Sequence, residues 1–228
     1  MRHLGFTIAV GIAVATFCGL GAWQVQRLAW KEALIKRVDA RVHAPAVAAP
    51  ANGAQVTAER DEYRHITVRG HFRGDATSRV YALTDYGAGN WVMTPLIRDD
   101  GSIVYINRGF VPQNLTTPVA TPLGEVTVTG LLRMPETKGW LFSQANDPAH
   151  DAWYHRDISA MAQKHGLADV APYFIDADAT PNPGGWPRGG LTVVRFANSH
   201  LVYAITWYAL AAMLAAMFIR LTWFRKPE

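Results

Sequence analysis

A long uncharged apolar segment near the carboxyl end limits what this chain can fold into. From Leu201 to Ile219 the sequence contains no charged residue, and Arg220 follows directly. An apolar run of about 18 or more residues is long enough to cross a bilayer as a helix. Because lipid offers no hydrogen-bond partners, a helix is the form that satisfies the backbone there. We therefore predict a transmembrane helix over 198–224, followed by a short tail, 225–228.

A second apolar block, Leu4–Trp23, lies at the other end of the chain. It is longer than a typical signal-peptide core, and no small-x-small cleavage site follows it. Because only three residues precede it, we expect no transit peptide. We interpret the block as a retained transmembrane helix with an interfacial extension, together residues 1–41. In the extension Trp30 suits the aromatic belt of a membrane, and Arg27 and Lys31 suit lipid phosphates.

Small residues recur every four positions in this first helix, at Thr7, Gly11, Ala15 and Gly19. Small side chains let membrane helices approach closely, although they are also common in membrane helices generally. We predict that this ridge contacts the second apolar helix. The predicted counterpart is the side formed by Ala204, Ala211 and Ala215.

The middle of the chain has the pattern of a globular domain. After a linker, 42–62, that is rich in Ala and contains two prolines, the apolar period changes to two, as in a half-buried strand. Several short segments of this kind predict an antiparallel sheet or small barrel over 63–197. The fold class is thus a membrane α+β protein, with two transmembrane helices flanking a mainly antiparallel, barrel-like extramembrane domain. The residues predicted for its core are Ile66, Val68, Val80, Leu96, Val104 and Ile106.

Individual elements of this domain are also predicted. A helix is expected over Ile158–His165, and Asp99-Asp100-Gly101 is expected to form a hairpin turn. Asn107–Pro112 is expected to end a strand in a loop. The predicted strands are Tyr63–Phe72, Arg79–Leu83, Trp91–Ile97, Ile103–Ile106, Glu125–Leu132, Tyr173–Asp176 and Leu191–Arg195.

Composition excludes several classes of function. The net charge is only +4, and the basic residues cluster beside the apolar blocks. This distribution suits lipid headgroups and not a nucleic-acid surface. A single cysteine, Cys18, excludes an intramolecular disulfide and a metal cluster of cysteines.

The sequence also lacks the common catalytic motifs, among them the nucleophile elbow, the zinc-protease helix and the phosphate-binding loop. A metal site at His150 and His155, with Asp147, Asp151 and Asp157 nearby, is the weaker interpretation of a segment that reads as a surface loop. Arg133, Glu136 and Asp157 are predicted to form structural ion pairs. We therefore predict a protein that is not an enzyme.

An imidazole stands where the second apolar helix enters the membrane. At helical spacing His200, Tyr203 and Trp207 share one face. Two interpretations of His200 remain open from the residues alone. It is an axial ligand of haem iron, a common role of imidazole, or it anchors the helix end to lipid headgroups or backbone.

Short segments occur in a specific order along nearly the whole chain. They are Gly21-x-Trp23-Gln24, Arg27, Trp30-Lys31, Tyr63-Arg64, Gly70-x-Phe72, Thr94-Pro95-Leu96, Asn107–Pro112, Gly130-Leu131-Leu132-Arg133-x-Pro135-Glu136, Asn146-Asp147-Pro148, Trp153 and His200-Leu201-x-Tyr203-Ala204-x-Thr206-Trp207-Tyr208. In this order the chain resembles the surfeit locus protein 1 family of cytochrome oxidase assembly factors. It departs at Ser199, where the family usually has Asn, and at Phe110, where Trp is usual. Ser199 keeps a polar side chain and Phe110 an aromatic one.

The resemblance implies a haem chaperone that binds haem a transiently and helps to deliver it to, or retain it in, oxidase subunit I. His200 is then the iron ligand, with Tyr203 and Trp207 lining the macrocycle. Arg27, Lys31 and Arg195 are expected near the propionates. The implied partners are subunit I, haem a synthase and membrane lipid, and no nucleic acid. The alternative is a scaffold that stabilises oxidase subunits without binding haem, and a membrane-tethered enzyme is a third class.

The resemblance also places the middle domain outside an energy-coupling membrane, and the absence of a presequence favours a multi-pass protein of the bacterial inner membrane with that domain in the periplasm. The distribution of basic residues around the first helix favours the opposite orientation. The domain side of the first helix carries several basic residues, Arg27, Lys31, Lys36, Arg37 and Arg41, against Arg2 on the other side. Long domains translocate against such a bias, so we keep the periplasmic orientation as the prediction.

Overall fold

The chain folds into two compact units. A computed structural model describes residues 2–115, 119–136, 144–194 and 196–223. One unit, here called the membrane unit, consists of Met1–Arg37 and Val194–Glu228, and the other, the sheet unit, is Val38–Val193. Each unit therefore packs mainly within itself.

Two long helices dominate the membrane unit. Helix α1 is Arg2–Val42 and helix α4 is His200–Trp223. Both are long and apolar enough to cross a membrane, and only 6% and 11% of their most apolar windows are buried. A core helix of a water-soluble protein buries most of its apolar side chains, so this exposure favours lipid as the surroundings. In the sequence the two helices flank the sheet unit, as predicted from the apolar segments.

The predicted contact between these helices is right for α4 and wrong for α1. Ala204 and Ala211 are buried in the contact. Gly11, Ala15 and Gly19 are exposed instead, and a Cβ added at either glycine would meet no atom within 4 Å. The contact uses the neighbouring face of α1, Phe17, Gly21 and Gln24. The contact differs from the prediction because the Tyr208 ring of α4 needs space beside α1. Gly21 leaves that space because it has no side chain.

The sheet unit is a mixed seven-stranded sheet in the described part of the chain, in the order β1-β2-β6-β7-β5-β4-β3. Its strands are β1 Val47–Ala48, β2 His65–Phe72, β3 Ser78–Thr84, β4 Gly87–Ile97, β5 Ile103–Pro112, β6 Glu125–Arg133 and β7 Val170–Ala177. β1 with β2 and β5 with β7 are parallel, and the other pairs are antiparallel. β2 also pairs with β4 at its end, so five strands form a closed hydrogen-bonded circuit.

Several predicted boundaries change. The segment predicted as a linker contains β1 and one helical turn, α2, Ala58–Asp61. Asn107–Pro112 continues β5 and is not a loop. Residues 191–194 form neither helix nor strand, so the last predicted strand is wrong over those positions, and Arg195 lies outside the described residues. Helix α3, Ile158–Lys164, agrees with its prediction.

Two apolar clusters form the core of the sheet unit. One contains Ile66, Val68, Leu96, Val104 and Ile106, five of the six predicted core residues. The sixth, Val80, lies in the second cluster, under α3, with Met93, Tyr105, Trp153, Met161 and Phe174. The strand period therefore predicted the core correctly, since alternate side chains of each strand enter it.

Arg108 on β5 lies inside the sheet unit. Its side chain is buried, not exposed to a partner, and it forms no ion pair among the described residues. Nη2 donates to the carbonyl of Ala120 at 2.6 Å, and the guanidinium lies 5.3 Å from the Phe72 ring centroid. Burial lowers the pKa of Arg108. Arg108 therefore joins β5 to the backbone at Ala120.

Candidate functional site

His200 begins α4 and is held by a residue of α1. Its Nδ1 lies 2.7 Å from Oε1 of Gln24, and Gln24 is only 8% exposed. The amide oxygen accepts and cannot donate, so Nδ1 carries the proton. Nε2 is then the nitrogen left for another partner, and the described residues provide no hydrogen-bond partner for it.

Gln24 is a candidate site residue that the sequence did not predict. A buried polar side chain in an apolar helix is costly unless it is hydrogen-bonded, so its presence signals a specific contact. The sequence carries a signal for it, because Gln24 interrupts an apolar helix next to Trp23 and belongs to the segment Gly21-x-Trp23-Gln24. What the sequence did not provide was the pairing with a residue 176 positions away.

The aromatic residues predicted for the site have different environments. Trp207 is half-buried and stacks on Phe17 of α1, with ring centroids 5.6 Å apart. Tyr203 is 53% exposed and lies outside the buried side of α4. His200 and Trp207, seven positions apart, therefore share the face toward α1, and Tyr203 flanks it.

The basic residues at the end of the apolar part of α1 each lie over an aromatic ring. The guanidinium carbon of Arg27 is 4.4 Å from the Trp30 ring centroid, and Nζ of Lys31 is 5.1 Å from that of Phe196. A cation over a ring face is attracted by the ring quadrupole, so each ring holds its cation in place. Arg195, the third predicted cation, lies outside the described residues.

The sheet unit holds a buried chain of charges. Asp176 on β7 is bonded by Arg133 at 3.1 Å and Arg156 at 3.4 Å, and these pair outward with Glu62 and Glu136. Burial raises the pKa of Glu136, but the bond from Arg156 outweighs it and the pKa is lowered. The predicted structural role of Arg133 and Glu136 is confirmed. Asp157 instead caps α3 by accepting from the N–H of Ala160.

A metal site at the predicted histidines is not supported. Within the described ranges no group of three or more His, Cys, Asp or Glu side chains is placed to hold an ion. Asp147 and His150 form an exposed pair at 2.7 Å, and the carbonyl of His155 accepts from Asn146. These contacts stabilise a loop.

The chain is similar to proteins described under one name. The family model "SURF1 family" matches residues 11–212. "Surfeit locus protein 1" of Rattus norvegicus is 37% identical over 234 residues, which cover 93% of this chain and 72% of the relative. The protein of the same name from Homo sapiens is 35% identical over 94% of this chain and 75% of its own length. The "SURF1-like protein" of Monosiga brevicollis is 35% identical, with 92% and 84% covered.

Proposed function

The chain belongs to the SURF1 family, and from this premise we propose that it is a non-catalytic assembly factor for haem–copper cytochrome oxidase. Its role is to bind haem a as cargo and to assist its delivery to, or retention in, oxidase subunit I. The proposed location is the bacterial inner membrane, with the sheet unit in the periplasm and membrane lipid around α1 and α4. Haem a synthase is a further proposed partner.

The observation that carries the proposal is the bond between His200 and Gln24. A haem ligand needs a neutral imidazole with one nitrogen free, and a hydrogen bond to the other nitrogen fixes the ring and its tautomer. At the start of an apolar helix, His200 donates through Nδ1 to Gln24, which leaves Nε2 for iron. Its chemistry fits an axial ligand of haem iron.

The surroundings of His200 suit a haem with a long isoprenoid tail. Exposed apolar side chains of α4 offer a lipid-facing surface on which removing such a tail from water is favourable. Trp207 and Tyr203 are the proposed contacts of the macrocycle. Arg27 and Lys31, together with Arg195, are the proposed partners of the propionates, because charge-assisted hydrogen bonds to carboxylates are strong.

One observation also favours the scaffold as a second candidate. The His200–Gln24 bond joins α1 to α4, so the same contact serves a purely structural role. In that case the sheet unit docks on oxidase subunits and His200 only stabilises the helix pair. The two functions differ in whether the purified protein carries haem.

The decisive experiment is the absorption spectrum of the full chain purified from cells that make haem a. We expect a haem a spectrum from the wild type and its loss in His200→Ala, with less haem a in subunit I of the oxidase from that strain. His200→Gln is the matched variant, since its amide keeps a hydrogen bond to Gln24 without supplying an imidazole. Wild-type spectra and full oxidase haem content in both variants would exclude His200 as the ligand and support the scaffold.

A further inference from the structure

The two ends of strand β4 carry different side chains. β4 has 11 residues, and at about 3.3 Å per residue its ends lie roughly 33 Å apart. At its start, the hairpin with β3 exposes Leu83 by 77% and Tyr86 by 49%. At its other end, the turn before β5 exposes Asp99 and Asp100. The sheet unit therefore has an apolar, aromatic end and an acidic end.

An arginine lies among the aromatic rings of the first end. The guanidinium carbon of Arg188 is 5.2 Å from the Tyr86 ring centroid and 4.5 Å from that of Trp186. Arg188 is exposed, and no carboxylate among the described residues pairs with it. Asp85, at the tip of the hairpin, balances its charge. Tyrosine and tryptophan are enriched where membranes meet water, and arginine there lies beside lipid phosphates.

The hairpin projects beyond the neighbouring strands. Met93 of β4 pairs with Asn107 of β5, which pairs with Asp176 of β7. β7 ends one residue later, at Ala177. On the same side β4 continues back from Met93 to Gly87, which adds about 20 Å at the usual rise of a strand. The side chains at the hairpin can therefore contact another surface.

The covalent chain ties this end of the sheet unit to the membrane. Residues 189–193 border one cavity together with the hairpin, so the chain leaves the sheet unit there. Residues 194–199 separate Val193 from His200, where α4 begins. Even fully extended, this interval spans at most about 25 Å. Because α4 is long and apolar enough to cross a membrane, the aromatic end is held near lipid.

We propose that Leu83, Tyr86, Trp186 and Arg188 form a lipid-contacting surface, here called the hairpin surface. Leu83 enters the boundary between headgroups and acyl chains, because removing its exposed side chain from water is favourable. The two aromatic rings lie at the level of the headgroups, and Arg188 pairs with lipid phosphates. The proposal depends on α4 crossing a membrane, but not on haem binding or on the side of the membrane on which the sheet unit lies.

The test uses the full chain in phosphatidylcholine vesicles, with the single cysteine replaced by Cys18→Ser. A new cysteine, Leu83→Cys or Asp99→Cys, is labelled with the environment-sensitive dye NBD. Lipids that carry a doxyl group quench NBD only when the dye reaches the bilayer. Quenching should be several-fold stronger at position 83 than at position 99. Both positions are exposed, so the label displaces no core side chain.

A charge reversal tests the cation of the hairpin surface. Arg188→Glu should reduce the quenching at position 83, because a carboxylate is repelled by lipid phosphates. Arg79→Glu is the matched control, since Arg79 is exposed on β3 but lies farther from the hairpin, and it should leave the quenching unchanged.

Three results would overturn the proposal. Absence of quenching at position 83 would assign the exposed hairpin to a protein partner. Equal quenching at positions 83 and 99 would mean that the sheet unit contacts lipid without using this end. Equal effects of Arg188→Glu and Arg79→Glu would show that the contact does not depend on the arginine among the rings.

Discussion

Nδ1 of His200 and Oε1 of Gln24 lie 2.7 Å apart and join the start of α4 to α1. Partners of this kind orient a metal-binding imidazole, and their loss typically lowers metal affinity about 10–100-fold. Gln24→Ala should therefore weaken haem a binding by about that factor and leave the protein in the membrane. Titration of the purified variant with haem, followed by absorption, measures the change.

Gln26→Ala is the matched control for this prediction, because Gln26 is exposed on the same helix. If Gln24→Ala bound haem as tightly as the wild type and His200 was still required, Gln24 would not position His200. The proposal that His200 binds haem would not be contradicted.

Gly21 of α1 packs against the ring of Tyr208 of α4. A Cβ at Gly21 would lie 2.8 Å from the Tyr208 ring, whereas one at Gly19 would meet nothing within 4 Å. Overpacking of this kind typically costs about 1–3 kcal/mol. Gly21→Val should thus lower the thermal stability of the helix pair in detergent, and Gly19→Val should not. If Gly19→Val melted at a lower temperature than Gly21→Val, the contact would instead involve the small-residue ridge that the sequence predicted.

The sequence was sufficient for the elements whose signal is local. Apolar length identified both helices, and the period of two identified the buried side of β2 and β5, because each signal depends on neighbours in the chain. Gln24 with His200 and Gly21 with Tyr208 depend on residues far apart in sequence. The small-residue ridge at Gly11, Ala15 and Gly19 had a pattern suited to packing, but the side chains of α4 selected another face.

His65 provides a pH-dependent contact in the sheet unit. Its Nε2 lies 2.9 Å from Asp178, and its Nδ1 lies 2.9 Å from the carbonyl of Ala44. The bond to Asp178 raises the pKa of His65 above 6.5, although burial opposes the shift. A raised pKa means that the folded state binds the proton more tightly, so the stabilisation is complete below about pH 6.5 and lost as pH rises through the folded-state pKa.

Melting temperatures of wild type and His65→Gln between pH 5 and 9 test this contact. The difference should be largest at low pH and shrink on the alkaline side. His43→Gln is the control, as His43 is exposed and, among the described residues, its side chain contacts Asp39, four positions earlier. A difference between wild type and His65→Gln that is constant with pH would show that His65 contributes without its charge.

The orientation of the sheet unit is tested by a reporter inserted after Gly53. This position lies in an exposed turn within the segment 46–58, so an insertion disturbs no strand. Alkaline phosphatase, which is active only outside the cytoplasm, should be active there. Inactivity of that fusion, together with activity of a cytoplasmic reporter at the same position, would reverse the proposed topology and agree with the charge bias of α1.

Asp176 should be among the least replaceable residues of the sheet unit. Removing its carboxylate leaves Arg133 and Arg156 partly buried without their shared partner, and breaking a buried pair typically costs about 3–5 kcal/mol. Asp176→Ala should therefore lower the free energy of unfolding by about that amount, measured by urea titration of the full chain in detergent. Glu125→Ala breaks the exposed pair with Arg69 and should have a much smaller effect, because solvent screens that pair. Equal losses in the two variants would mean that the charge chain is as replaceable as a surface pair.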